Sequence, residues 1–229
     1  MTAQRKERAG PAALKAHEIA DVIEDDVIFG LLRPHEELPE DALIARFDAK
    51  RHVVRQAIAL LIDRRVATKP FNRSARVKDV SPQEVAEIYE IRDILQRAAI
   101  LRLTFPSPRE LDHIEAVRQA HARACARSDR REIHRLNDAF HAAIFNHCAN
   151  RSLARDVARY ARMANAVRSF GIADPTLRAR ALRDHAEMVE ALKARDRDAL
   201  AELCSTHIRA SLDTWLTQRA PMQPGGLRG

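Results

Sequence analysis

Asn137 and His141 stand four residues apart in Asn137-Asp138-Ala139-Phe140-His141, which puts an amide and an imidazole on one face of a helix. His185 and His207 fall in two later stretches of helical periodicity. Four nitrogen or oxygen donors from three helices can converge inside a bundle and hold a divalent ion of the zinc or nickel type. Spacing alone leaves the plainer alternative open, because a solitary helix histidine is more often a surface group or a hydrogen-bonded core residue.

A second group of residues suits a different chemistry. Lys50-Arg51-His52-Val53-Val54-Arg55-Gln56 opens a helical segment in which Arg51 and Arg55 project from one face. Arginine can make bidentate contact with guanine, and Gln56 could pair with adenine. Val54, Ile58, Leu61 and Ile62 form the opposite, apolar stripe. Between Asp41 and Lys78 there are ten Lys/Arg and three acids, an excess equal to the +7 of the whole chain. Such local concentration points to a polyanionic partner more strongly than the total charge does.

The elements that must position these groups are mainly helical. Apolar residues make up 46% of the 229 residues and aromatics only 4%, so the bulk comes from good helix formers. Six glycines argue against a glycine-lined nucleotide loop. Three widely spaced cysteines (Cys125, Cys148, Cys204) fit neither a disulfide framework nor a zinc finger. The polar start and the lack of a long apolar run predict a cytoplasmic chain with no membrane partner.

Residues 1–13 read as a flexible arm. A helix follows from Leu14 to a C-cap at Gly30, then short helices over 40–47 and 51–64 separated by a three-residue turn. Val66–Lys69 and Ala75–Lys78 flank a polar, turn-prone centre and predict a hairpin carrying Lys69, Arg73, Arg76 and Lys78. This order is that of a winged helix-turn-helix over 14–80, whose second helix enters the major groove. Ser81-Pro82 opens a second domain over 81–220. Punctuation there delimits an antiparallel bundle of six helices: 82–104, 108–127, 130–149, 152–170, 175–195 and 197–219. The segment 221–229 reads as a disordered tail.

The first domain resembles the winged helix of the GntR superfamily, in its FadR-like branch. The likeness lies in Ile28-Phe29-Gly30-Leu31-Leu32-Arg33-Pro34-His35-Glu36-Glu37-Leu38 and runs on through Leu43 to Ile58. By that resemblance Arg51 and Arg55 contact DNA. Asp48 replaces the family's turn glycine, Lys50 its serine and His52-Val53 its Thr-Pro. Asp41 stands where an arginine is frequent, and Asn72-Arg73-Ser74 replaces the glycine-containing wing tip.

Residues 82–212 resemble the FCD ligand-binding domain, in Asn137–Ile144, Asp184–Asp196 and the last helix's His207-Ile208. The resemblance implies a metal held by Asn137, His141, His185 and His207, with Asn137 in place of the family's aspartate. It implies a small carboxylic-acid effector, with Arg92 as its pocket arginine. The alternative for Arg92 is a surface salt bridge. Six helices suggest the shorter, VanR-like subgroup. The function implied is an effector-responsive regulator that binds a double-stranded operator as a homodimer through Lys50, Arg51, His52, Arg55, Gln56 and Arg73. A nucleoid protein without effector is the alternative, and a metal-dependent hydrolase is disfavoured because no nucleophile or general-base motif is present.

Overall fold

The computed structural model describes residues 14–219, so the expected arm and tail lie outside the described residues. Two compact units divide the chain at Asp79/Val80. The first contains α1 (Ala16–Ile28), β1 (Glu37–Leu38), α2 (Glu40–Phe47), α3 (Arg51–Asp63), β2 (Ala67–Thr68) and β3 (Ala75–Val77). Ile19 and Ile23 of α1 pack on Val54, Ala57, Ile58 and Leu61 of α3 in one core, as the helical spacing of each set requires. Ile62, expected on that stripe, is 37% exposed, because it lies one residue beyond the face that Ile58 and Leu61 define.

Ion pairs fix the helices around this core. Asp26 of α1 is buried and accepts a 2.6 Å hydrogen bond from Arg46 of α2. Arg64, capping α3, donates to Asp21 at 2.6 Å and to Glu24 at 2.9 Å. A buried carboxylate without such a partner would be costly, so these arginines are structural.

The hairpin is present, but β1 adds a strand that sequence reading passed over as loop, giving the order β1-β3-β2. Glu37 pairs with Arg76 and Leu38 with Ala75, antiparallel. Two residues are too few to show alternation. Sharp turns fall on non-glycine residues: Asp48 (φ 46°) ends α2, and Asn72 (φ 55°) sits in the wing. Aspartate and asparagine tolerate this left-handed region better than most residues, so both replacements of glycine are compatible with the fold.

The second unit has seven helices among the described residues, not six: α4 (Pro82–Leu101), α5 (Pro108–Arg127), α6 (Arg130–Phe145), α7 (Arg151–Met163), α8 (Asn165–Ala173), α9 (Pro175–Ala194) and α10 (Arg197–Arg219). The expected helix over 152–170 is interrupted at Ala164, where an i→i+3 hydrogen bond from Ala164 to Ala161 closes the turn. The six-helix count, and the VanR-like grouping that rested on it, therefore lose their basis. The helix at 82–104 stops at Leu101 and that at 130–149 stops at Phe145 for a shared reason. Leu103 and Cys148 form an antiparallel bridge, with Thr104 N–H donating to His147 and Ala149 N–H to Arg102. Side-chain caps start four helices, at Ser81, Asp129, Asn150 and Asp174.

Phe140, Ile144, Met188, Leu192 and Leu200 form the centre of the second unit's main core. The three cysteines are free, and no helix among the described residues is long and apolar enough to cross a membrane. Leu61 is fully buried in the first core, and Leu61→Ala is expected to destabilise that unit by about 2–5 kcal/mol, read as a lower urea midpoint for its unfolding.

Candidate functional site

In the second unit, α4–α6 and α7–α10 enclose a cavity of about 270 Å³. Asn137 and His141 of α6 line it from one face, as their spacing requires, and His207 of α10 faces them across it. His185 of α9 lies against the same group but is completely buried. The ligand nitrogens of His141, His185 and His207 all lie within 4.8 Å of one another.

The environment of His141 and His185 favours a lone pair over a proton. Burial, then the neighbouring His207, holds His141 and His185 well below the usual imidazole range. Neither nitrogen of His185 has a hydrogen-bond partner, and the ring stacks on Phe140 at 4.2 Å. Nδ1 of His207 is 2.9 Å from the Asp184 carboxylate, which leaves Nε2 free for a ligand. A carboxylate behind a histidine is the usual way to orient a metal-binding ring. The residues present therefore fit a divalent ion: three converging imidazoles, one of them carboxylate-oriented, with orphaned nitrogens at the centre.

Arg92 is a buried cation in the cavity wall. Its guanidinium lies 4.6 Å over the Tyr89 ring, and its Nε and Nη1 have no hydrogen-bond partner. The surface salt bridge considered for it from sequence is therefore absent. Burial pulls its ionisation below the arginine norm. Asp138 also lines the cavity, but it is paired with Arg168, which also donates to Asn165 at 3.0 Å. Burial acts to raise the Asp138 carboxyl; Arg168 and His134 outweigh it and hold it low.

In the first unit the six residues assigned to DNA are all exposed: Lys50, Arg51, His52, Arg55 and Gln56 at the start of α3, and Arg73 in the wing. Arg51 is 2.8 Å from Asp41 and 3.5 Å from Glu40; Arg55 donates to Glu40 at 2.9 Å, and Lys69 of the wing is 3.7 Å from the same carboxylate. Arg55, working against slight burial, holds Glu40 below the usual range. One carboxylate at the head of α2 thus gathers three cations from two elements. Phe71, in the turn of the wing, is 92% exposed.

Sequence reading missed several members of the cavity. His121 of α5 lines it and is 2% exposed; its position in a charged helix, His121-Ala122-Arg123, gave no sign of burial. Asp184 was quoted only as part of a motif. Gln96 is buried at the cavity wall.

Comparison with known proteins agrees with both units. Residues 15–77 match the family described as bacterial regulatory proteins, gntR family, and residues 87–210 match the FCD domain. The chain is 25% identical over 196 residues to the HTH-type transcriptional repressor GlaR of Escherichia coli, covering 81% of this chain and 89% of that protein. Its fold is similar to that of E. coli McbR/YncC (TM-score 0.75, 17% identity, 89% and 97% of the two chains). It is also similar to a GntR protein of Rhodococcus sp. RHA1 (TM-score 0.73, 20% identity, 88% and 97%).

The buried imidazoles make the metal-free protein sensitive to acid. His121, depressed to about 4 by burial and then by His207, takes up its proton at lower pH in the folded chain than in the unfolded one, as do His141 and His185. The unfolded state binds more protons in that interval, so stability is full above about pH 6.5 and falls as the pH drops toward 4. Thermal unfolding of metal-stripped protein at pH 7.5 and pH 5 should show the lower midpoint at pH 5.

Proposed function

The chain belongs to the GntR family of bacterial transcription regulators that carry an FCD domain, and on that premise we propose a metal-assisted carboxylate sensor that represses an operator. That it is a DNA-binding regulator and not an enzyme follows from the families and relatives it matches. The finer reading rests on one observation: a buried Arg92 with free Nε and Nη1 shares a cavity with a cluster of imidazoles.

In this reading residues 14–80 bind DNA, and residues 81–220 bind the effector and the second subunit. His141, His185, His207 and Asn137 are the candidate holders of a divalent ion of the zinc or nickel type. When bound, the ion supplies a Lewis-acidic anchor for one end of a carboxylate. Arg92 supplies two free guanidinium donors, enough to orient the acid by charge-assisted hydrogen bonds. The apolar walls, among them Ile133, Phe145 and Val157, exclude water and favour a small organic acid over an inorganic anion.

Homodimerisation is supported by α4. Ile91, Ile94 and Leu101 form an exposed apolar stripe on it, spaced three and seven residues apart. An antiparallel second α4 would cover the stripe. Two chains then present two recognition helices to half-sites about one helical turn apart. At each half-site Lys50, His52 and Arg73 meet phosphates while Arg51, Arg55 and Gln56 read base edges. The effector acts by binding the two DNA-competent arrangements of the dimer unequally.

Two measurements test this reading. On an operator selected from random duplexes by the wild-type chain, Arg51→Ala/Arg55→Ala should weaken binding by about 2–6 kcal/mol and relax base preference at the contacted positions; unchanged affinity at moderate salt would overturn the α3 assignment. In a screen of small organic acids, a hit for the wild type should lose most of its affinity in Arg92→Ala while operator binding without acid persists. A chain that binds its operator identically with and without every acid would instead be an effector-independent DNA-binding protein.

A further inference from the structure

The turn of the wing carries an aromatic ring that the fold does not use. Phe71 is 92% exposed, while Ala67, Ala75 and Val77 of the flanking strands are buried in the first unit's core. A phenyl ring left in water forgoes the burial that stabilises Phe140 and Phe145 elsewhere in the chain. Scattered exposed apolar side chains are common on folded proteins, so exposure alone points to no partner. The surroundings of this ring do.

Phe71 is held out on a stiff turn. Pro70 precedes it, Asn72 follows in the left-handed region (φ 55°), and the Arg73 N–H closes the turn on the Pro70 carbonyl at 3.3 Å. Proline fixes its own φ and asparagine accepts left-handed backbone at small cost, so the residues on both sides of the ring specify its turn. Below it β3 is paired on both edges, with β1 and with β2. A ring on such a base has little backbone freedom left to lose on binding.

Its neighbours are cations. Lys69 and Arg73 are each two residues away, within about 7 Å of chain, and both are exposed. Arg76 is exposed on β3 between the buried Ala75 and Val77. No acidic residue falls between Asp63 and Asp79. Lys69 Nζ lies 3.7 Å from Glu40, the carboxylate that also takes Arg55 at 2.9 Å, so the base of the wing and the head of α3 meet on one group. An apolar protein surface would bury the ring but desolvate these cations. A duplex offers phosphates to the cations and, through a groove, base faces to the ring.

We propose that Phe71 is a DNA wedge: with α3 in the major groove, the turn of the wing enters the adjoining minor groove and the ring partly unstacks one base step beside the bases that α3 reads. Lys69 and Arg73 meet phosphates at the groove's edge. The inference rests on the reading above that this unit docks on DNA through α3, and it adds recognition by deformability to recognition by base edges. Pyrimidine–purine steps unstack most easily, so the operator should carry a TA or CA/TG step at a fixed distance outside the α3 bases.

The test uses full-length protein and a duplex selected from random sequences by the wild-type chain, with a fluorescent adenine analogue placed at successive flanking steps. The wild type should raise the fluorescence at one step and bend the duplex, read by energy transfer between end labels. Phe71→Ser should lose the fluorescence change and most of the bend and weaken binding by about 5–50-fold. Its salt dependence should match the wild type, because the ring carries no charge. Phe71→Leu, still an apolar wedge, should keep the bend and most of the affinity. Arg73→Ala should do the reverse of Phe71→Ser, lowering the salt slope by about one charge while the bend persists. A Phe71→Ser protein that binds and bends the duplex like the wild type would overturn the wedge and leave the α3 reading intact. So would unchanged DNA binding with loss of self-association, which would assign the ring to a second copy of the chain. A wild-type chain that retains no duplex in the selection would overturn both.

Discussion

Four imidazoles sit in or against one cavity of a helical unit, and the one at their centre, His185, has no solvent exposure and no hydrogen-bond partner. Burying a polar group in that state is among the more expensive things a core can do. The surrounding helices hold the cluster in place all the same. Phe140 stacks on His185, Asp184 orients His207, and Cys125 sits against His121. An ion bound as proposed would satisfy these nitrogens, and because the same helices carry the remaining hydrophobic core, filling the site would also stabilise the unit.

The surface proposed to meet DNA obeys a complementary rule. Arg51, Arg55 and Lys69 have no buried partner, yet Glu40 and Asp41 gather them on one side of α2. These pairs are solvent-exposed and weak in stability terms. If this face meets DNA as proposed, the pairs would order long flexible cations in advance, and the carboxylates would repel phosphate and so lower sequence-independent attraction in favour of discrimination.

The sequence made some of this legible and hid the rest for identifiable reasons. Period and punctuation located α1–α3 and most of the bundle, because helix boundaries there coincide with capping residues such as Ser81, Asp129, Asn150 and Asp174. The break at Ala164 was hidden, because alanine and asparagine continue a helical pattern and tertiary packing alone decides the interruption. The pairing of 102–104 with 147–149 was hidden because it joins segments more than forty residues apart. Asn137, His141, His185 and His207 could be named from spacing and resemblance together. His121 could not, because nothing in a run of alternating alanine and charge marks which side faces the cavity.

The charge balance of the cavity ties these observations together. Asp138 is neutralised by Arg168, and Asp184 is committed to His207, with Arg180 3.8 Å away. Asp138 is the only acid lining the cavity among the described residues, and it acts on Arg92 as well as on Arg168. If an ion and an organic acid bind here as proposed, the ion and Arg92 would repel each other in a low-dielectric space and an anion between them would relieve that repulsion, so the two binding events would be coupled and, by linkage, reciprocally so.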